Sequence, residues 1–315
     1  FNFFLSLIFF LLMIIIYLIR PFILIRFNIL NTSRIGHFCI NIDLYLTNKS
    51  KNKIKNTLDF FSHHDYICNK YLFSLVKKKI FFIPRFIIDN LLRTNSFFLN
   101  FFEFPMQHIA NFSKTKDRDI ENFWQNTPPV FRLNNKSEIF FEKNNILPND
   151  KIICFCIRDN SYLKKRHPQK DFFYHNDRNQ KIENFYLAAQ ELSNNGYKVI
   201  RMGRNQEKKF EATGNGIIDY AFSDFKSDRL DLIIFSRAYF ILSANAGMEE
   251  LGNLFRKPMI MSTIPINIQH TSSDKFICLT KHHVSKKTGK NLTMSEIINK
   301  YAETFNTLDD LLHKK

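Results

Sequence analysis

The stretch Tyr239 to Met261, YFILSANAGMEELGNLFRKPMIM, decides the fold class. It opens with an apolar run, Tyr239 to Leu242, that reads as a buried strand. Short residues follow, Ser243-Ala244-Asn245-Ala246-Gly247, then a short helix, and Pro258 opens the next strand. Strand, small-residue turn, helix and strand make one unit of a parallel α/β sheet. In such a sheet the turn lies at the carboxyl end of its strand, where ligands of open α/β folds bind. Short side chains let a ligand approach the backbone, and the first amides of a helix favour an anion. The turn therefore points to a phosphate-bearing ligand, against the plainer reading of an ordinary strand-to-helix connection.

The pattern repeats outward from there. KIICFCI, Lys151 to Ile157, is a continuous apolar run of the kind buried on both sheet faces. Ile182, Phe185, Tyr186, Ala189 and Leu192 make one helical face that ends near Gly196. YKVIRM, Tyr197 to Met202, is the next strand and Gly203 closes it. Asp228 reads as a helix N-cap, with Leu230, Ile233 and Ile234 turned inward. After the opening stretch come KFICL, Lys275 to Leu279, and a terminal helix from about Met294. Pro148-Asn149-Asp150 marks the boundary before this second half.

The first half is less regular. Phe22 to Phe27, FILIRF, is a short β-rich run, and Asn31-Thr32-Ser33 reads as a turn. Arg34-Ile35-Gly36-His37 then opens a helix with Phe38, Ile42, Tyr45 and Leu46 on one face. Another helix is expected to start at Pro84. The expected architecture is α/β: two Rossmann-like, doubly wound domains over residues 22–145 and 146–315, with a ligand cleft between them.

Before them, Phe3 to Ile19 is almost wholly apolar, interrupted only by Ser6. Residues 1–20 are read as a hydrophobic anchor helix, at the short limit for a bilayer span. A helix lying on the membrane or packed against the body is the alternative. No small-residue cleavage site follows, and the chain begins without Met, so the span is open to upstream extension. Arg20 and Arg26 come directly after it, which places the remainder on the cytoplasmic side of an inner membrane, single-pass or membrane-associated.

Composition narrows the partners. The chain has 315 residues with 45 Lys+Arg against 29 Asp+Glu, a formal net charge of +16. The basic residues are scattered, Lys77-Lys78-Lys79 is too short to line a groove, and no aromatic-and-basic module appears, so nucleic acid is not an expected partner. Five cysteines without a CxxC pair fit reduced, buried thiols, with Cys154 and Cys156 on the same side of one strand. Neither His63-His64 nor His282-His283 has metal-ligand spacing with a second cluster, and no metal or cofactor is expected.

Polar residues gather where the strands end. Arg158-Asp159 follow the first strand of the second half, Arg201 and Gly203 end the next, and Ser243 and Asn245 end the third. Their carboxyl ends share one sheet edge, so these motifs converge on one crevice. Arginine presents a fork of donors matched to phosphate oxygens, so Arg158 or Arg201 can neutralise a departing diphosphate. His37 and Asp159 are both candidates for a catalytic base. Each also has a structural counterpart: a local Arg-Asp pair, a solvated strand-end charge, a structural histidine. The glycine fingerprints of dinucleotide folds and of the P-loop are absent, which argues against a dehydrogenase or an ATPase.

At SRIGHF (33–38), CIRDNSYL (156–163), DRNQKIENFYLA (177–188), GYKVIRMG (196–203) and SDRLDLIIFSRAYFILSANAGME (227–249), the chain resembles a bacterial family of glycosyltransferases of cell-surface polysaccharide synthesis. That family looks related to two-domain GT-B enzymes of the fucosyltransferase and heptosyltransferase kinds. The resemblance implies a metal-independent hexosyl- or deoxyhexosyltransferase with a nucleotide-sugar donor and a lipid-linked or polysaccharide acceptor. Donor contacts would come from Arg201, Gly203, Ser243, Ala244, Asn245, Ala246, Gly247 and Glu249. Acceptor contacts would come from Arg34, Gly36, Arg178 and Asn179, with Arg158, Asp159 and His37 catalytic. Two departures stand out: Asn245-Ala246 replaces a more hydroxyl-rich turn, and Lys164-Lys165-Arg166 is unusually basic. The competing class is a noncatalytic, membrane-bound carbohydrate-binding or assembly subunit with the same fold.

Overall fold

A computed structural model of the chain describes residues 3–51, 56–110, 127–133, 139–166, 168–169, 171, 176, 179–264, 275–297 and 299. Two parallel sheets organise them. The first runs β1 (Leu24–Leu30), β2 (Thr57–His63) and β3 (Phe81–Phe82), in that order. The second contains β4 (Ile152–Cys156), β5 (Lys198–Met202), β6 (Ile217–Ile218), β7 (Ala238–Ser243), β8 (Met259–Ile264) and β9 (Phe276–Thr280). Its order is β6-β5-β4-β7-β8-β9, so the winding reverses between β4 and β7 and opens a crevice at their carboxyl ends.

The helices are α1 (Phe3–Leu18), α2 (Ile35–Lys51), α3 (Lys70–Val76), α4 (Arg85–Leu99), α5 (Ile139–Lys143), α6 (Ser161–Arg166), α7 (Tyr186–Asn194), α8 (Asp228–Arg237) and α9 (Glu250–Leu254). Every residue of β4 is buried, and the pleat sends alternate side chains to different layers. Ile152, Cys154 and Cys156 join the large core that also holds Phe38 and Ile42 of α2. Ile153 and Phe155 pack instead with Phe185 and Ala189. The expected helical face thus exists, although Ile182–Phe185 is a 3-10 turn and the α-helix proper starts at Tyr186. Gly196, at φ 81°, lets the chain leave that helix in the left-handed region.

α2 buries Phe38, Ile42, Tyr45 and Leu46, the residues whose spacing marks its inner face. α4 starts at Arg85, with the expected Pro84 immediately before it. Asp228 is not the cap of α8. Ser227 takes that place, its side chain accepting from the Leu230 amide at 3.1 Å, and Asp228 is left to accept from the Lys70 amide at 2.5 Å. A helical turn begins at Met294, where Thr293 and Glu296 cap each other reciprocally, and the rest of the expected terminal helix lies largely outside the described residues.

The apolar amino-terminal run folds as α1, with 16 residues. Among the described residues no helix is long and apolar enough to cross a membrane. The expected span is therefore not supported among these residues, and the helix packs along one side on the protein. Phe9, Met13 and Ile16, spaced every three or four residues, are buried against Phe27 of β1 and Ile88 and Leu91 of α4. One stripe of the helix is therefore committed to the body of the protein.

The two halves are joined across their interface. Arg256 reaches from the end of α9 to Asp43 on α2, with Nη1 to Oδ2 at 2.8 Å and Nη2 to Oδ1 at 3.2 Å. Arg204 donates to the Cys68 carbonyl at 3.0 Å, and Asn69 to the Asp228 carbonyl at 3.1 Å. The Arg166 guanidinium, in the basic run Lys164-Lys165-Arg166, lies 3.2 Å from the centre of the Tyr66 ring.

Candidate functional site

The two sets of strand ends face each other across a crevice of about 400 Å3. From the first half, its wall is the start of α2: Arg34, Ile35, Gly36, His37 and Ile40. From the second half come Arg158 and Asp159 after β4, Gly203 and Arg204 after β5, and Asn245 to Glu250 after β7. Four separate sequence motifs therefore meet in one place, as the shared sheet edge requires.

Gly36 sets how closely the halves approach. A Cβ at that position would stand 3.1 Å from the Gly247 carbonyl oxygen and 3.4 Å from its Cα, both backbone atoms. The turn itself needs unusual backbone: Asn245 has φ 55° and Gly247 φ 84°. Asparagine and glycine are the residues that take those angles at least cost, which accounts for the departure from a hydroxyl-rich turn.

Two helices start at the crevice, and they differ in length. The helix after the turn, α9, has five residues and a correspondingly small dipole. α2 has 17, and its first turn with Arg34 opens into the crevice, so the larger helix dipole comes from the other half. Arg158 lies across from it; burial raises the Glu249 carboxyl, opposed by hydrogen bonds from the Gly247 and Glu249 amides and Ser243 and, least, by the Arg158 charge. Beside it, burial and then Glu249 raise Glu250 to about 8, while Asn253 donates to Glu250 Oε2 at 2.6 Å. Glu250 therefore carries its proton near neutral pH, which limits negative charge on the crevice floor.

Asp159 has both oxygens in use, accepting from the Ser161 amide at 3.0 Å and from the Glu207 amide at 3.1 Å. It holds the loop after β4 against the loop after β5. His37 is exposed on the α2 wall, and partial desolvation followed by Arg34 lowers its pKa. Its imidazole is neutral at physiological pH and free to take up a proton. Cys68 also lines the crevice, but burial raises its thiol to about 12, so it is no nucleophile.

The remaining expected residues fall elsewhere. Arg201 is 1% exposed, pairs with Asp219 at 3.0 Å and Gln206 at 3.0 Å, and lines a smaller neighbouring cavity. Ser243 and Ala244 are buried beneath the turn. Asn179 donates to Asn176 and lies outside the crevice wall, and Arg178 lies outside the described residues. Sequence reading missed Arg204, whose guanidinium holds Asp228, Asp231 at 2.6 Å and the Cys68 carbonyl together. It also missed Gln206, Asp231 and Glu250. A basic residue directly after the strand-closing Gly203 was the available signal for Arg204. Among the described residues, no group of three or more His, Cys, Asp or Glu is placed to hold a metal.

No protein-family model matches the chain, and no curated protein matches it. Among solved structures it is similar to Escherichia coli ADP-heptose LPS heptosyltransferase II, at 12% identity over 84% of this chain and 92% of that one, with TM-score 0.46. A glycosyl transferase family 9 structure from Veillonella parvula matches at 11% identity over 89% of this chain and 96% of that one, with TM-score 0.46. E. coli heptosyltransferase WaaC, solved with ADP, matches at 12% identity over 89% of this chain and 98% of that one, with TM-score 0.43. Likenesses of this strength describe a general arrangement of elements and assign no chemistry to the residues here.

Proposed function

We propose that the chain is a glycosyltransferase that moves a sugar from a nucleotide-sugar donor to a hydroxyl acceptor, lipid-linked or polysaccharide, in the crevice between the two sheets. One observation carries the reading: a pocket of about 400 Å3 sets Arg158 and the small-residue turn opposite Arg34 and the start of α2, with a neutral histidine on its wall. This combination suits a diphosphate that must leave with its charge met and a hydroxyl that must lose a proton.

In the proposed reaction the acceptor oxygen forms a bond to the anomeric carbon as the bond from that carbon to the diphosphate oxygen breaks. The electron pair leaves with the nucleoside diphosphate, whose charge is met by Arg158 and by the first amides of α2. The acceptor proton passes to His37 Nδ1 or Nε2. Asp159 is the less suitable base because both its oxygens already serve backbone amides. Its part is to fix the loop that carries Arg158. No metal is assigned a part in the step, and transfer measured with and without a chelator tests that assignment.

A thermal-shift panel of UDP-, GDP-, CMP- and ADP-sugars tests donor binding, since a ligand of the native state raises the melting temperature by mass action. One donor class is expected to stabilise the protein selectively and to support labelled-sugar transfer that Arg158→Ala abolishes. Failure of every donor at millimolar concentration overturns the reading. Binding without turnover assigns the noncatalytic carbohydrate-binding alternative.

A further inference from the structure

Burial of Phe9, Met13 and Ile16 leaves more than half the circumference of α1 outside the core. That outer surface consists of Phe4, Leu5, Leu7, Ile8, Leu11, Leu12, Ile15 and Leu18, all exposed, with Phe4 at 68% and Leu18 at 70%. The apolar surface continues beyond the helix. Phe10 stacks on Phe98 of α4, and Tyr17 meets Phe98 and Phe104 edge-on, which brings the corner after α4 alongside. There Phe97, Phe101, Phe102 and Met106 are exposed, and Phe22 follows at the end of α1, 74% exposed. A continuous surface of this size exceeds the few hundred Å2 that single soluble chains normally show, and it marks an interaction site.

Charge and packing say what the partner is. Residues 3–23 contain no acidic residue, and Arg20 lies at the end of α1 over the Phe104 ring. The outer face of α4 carries Arg93 in line with the exposed Phe86 and Phe97. Aliphatic side chains edged by arginines complement the acyl boundary and headgroups of an anionic bilayer. Phe9, Met13 and Ile16 of α1 are already packed on the body of the protein. The stripe held by the protein cannot be withdrawn without opening the core around Phe27. The remaining way to cover the outer face in lipid is to lay the helix flat.

We propose that α1 and the adjoining Phe97–Met106 corner bed into an anionic phospholipid surface, with the helix axis in the membrane plane and its buried stripe still packed on the protein. This rests on a surface separate from the crevice and stands whether or not glycosyl transfer is found.

Cofloatation of the full chain with phosphatidylcholine vesicles, with and without phosphatidylglycerol, tests it. The chain is expected to float with both and at least several-fold more with the anionic vesicles. Leu7→Ser/Leu11→Ser/Ile15→Ser, on the outer face only, is expected to lower flotation at least tenfold with an unchanged circular-dichroism melting curve. If that variant misfolds, Leu11→Trp supplies the readout instead: its fluorescence should shift to the blue on vesicle addition and be quenched by brominated lipid. Arg20→Gln/Arg93→Gln should lose the preference for anionic vesicles alone. Wild-type protein that stays with neither vesicle, a folded triple-serine variant that floats like wild type, or a Leu11→Trp signal indifferent to vesicles overturns the proposal. So does a stable dimer in detergent-free buffer that the triple-serine variant dissociates, because a second copy of the chain would then cover the face.

Discussion

Asp43→Asn attacks the joint between the two halves. The Asp43 side chain is 1% exposed and the Arg256 side chain 7%, and the pair is bidentate at 2.8 and 3.2 Å. At about 3 Å and an effective dielectric constant of about 20, the gross attraction is about 5 kcal/mol. Removing one partner of a buried pair typically costs about 3–5 kcal/mol, because the other charge is left uncompensated. Arg256 keeps the Thr127 carbonyl at 3.1 Å and the Asn253 carbonyl at 2.6 Å, so the lower end, about 3 kcal/mol, applies. Asparagine preserves shape and changes only the charge. For a chain of this length about 2 °C per kcal/mol is appropriate, giving a melting point about 6 °C lower. Differential scanning calorimetry should also show a broadened or split transition, because the pair ties separate sheets together. The double variant Asp43→Leu/Arg256→Met should recover most of the loss, since it leaves no buried charge. A melting point for Asp43→Asn within about 1 °C of wild type refutes the reasoning, as does a double variant no better than the single one.

Three further outcomes are expected. Gly36→Ala gains about 0.5–1 kcal/mol of helix propensity but pushes on the Gly247 backbone 3.1 Å away, so urea unfolding should change little while donor affinity, by calorimetric titration, falls several-fold. The rate of transfer should fall on the acid side only below the ordinary histidine value of 6.5, because His37 is held lower than that and works as the neutral form. His37→Asn should remove this limb and cost about 10²–10⁴-fold in kcat. Glu250 holds its proton up to about 8 in the folded state against 4.5 ordinarily, so the native state binds more protons between those values. Stability from this group is full below pH 4.5 and declines as pH rises towards 8; Glu250→Gln should flatten the slope of unfolding free energy by up to about 1.4 kcal/mol per pH unit, measured by urea titration across that window.

Local pattern made much of the fold legible. The unbroken apolar run at β4 required a strand covered on both faces, and the spacing of Phe38, Ile42, Tyr45 and Leu46 required the helix that buries them. The site was legible as far as it depends on strand ends: Arg158, Asp159, Gly203 and the Asn245 turn meet because parallel strands put their carboxyl ends on one edge. Reading failed where a side chain's partner is distant in sequence. Arg201 and Arg204 look equivalent along the chain, yet Arg201 lies within a strand and is drawn to Asp219. Arg204, past the Gly203 turn, reaches Cys68 on the other half. Asp228 resembles a cap by composition, but Ser227 has the extended backbone that a cap requires, and Asp228 serves the Lys70 amide.

The sequence by itself determined the α/β class, the buried strands of the second sheet and the short-side-chain turn after β7, because these follow from residue periodicity and backbone allowance alone. Only the tertiary structure decided that the start of the long α2 joins the short α9 in walling the crevice, and that the apolar amino terminus packs one stripe on the protein. Both depend on which surfaces meet, and that is set by contacts between residues far apart in the chain.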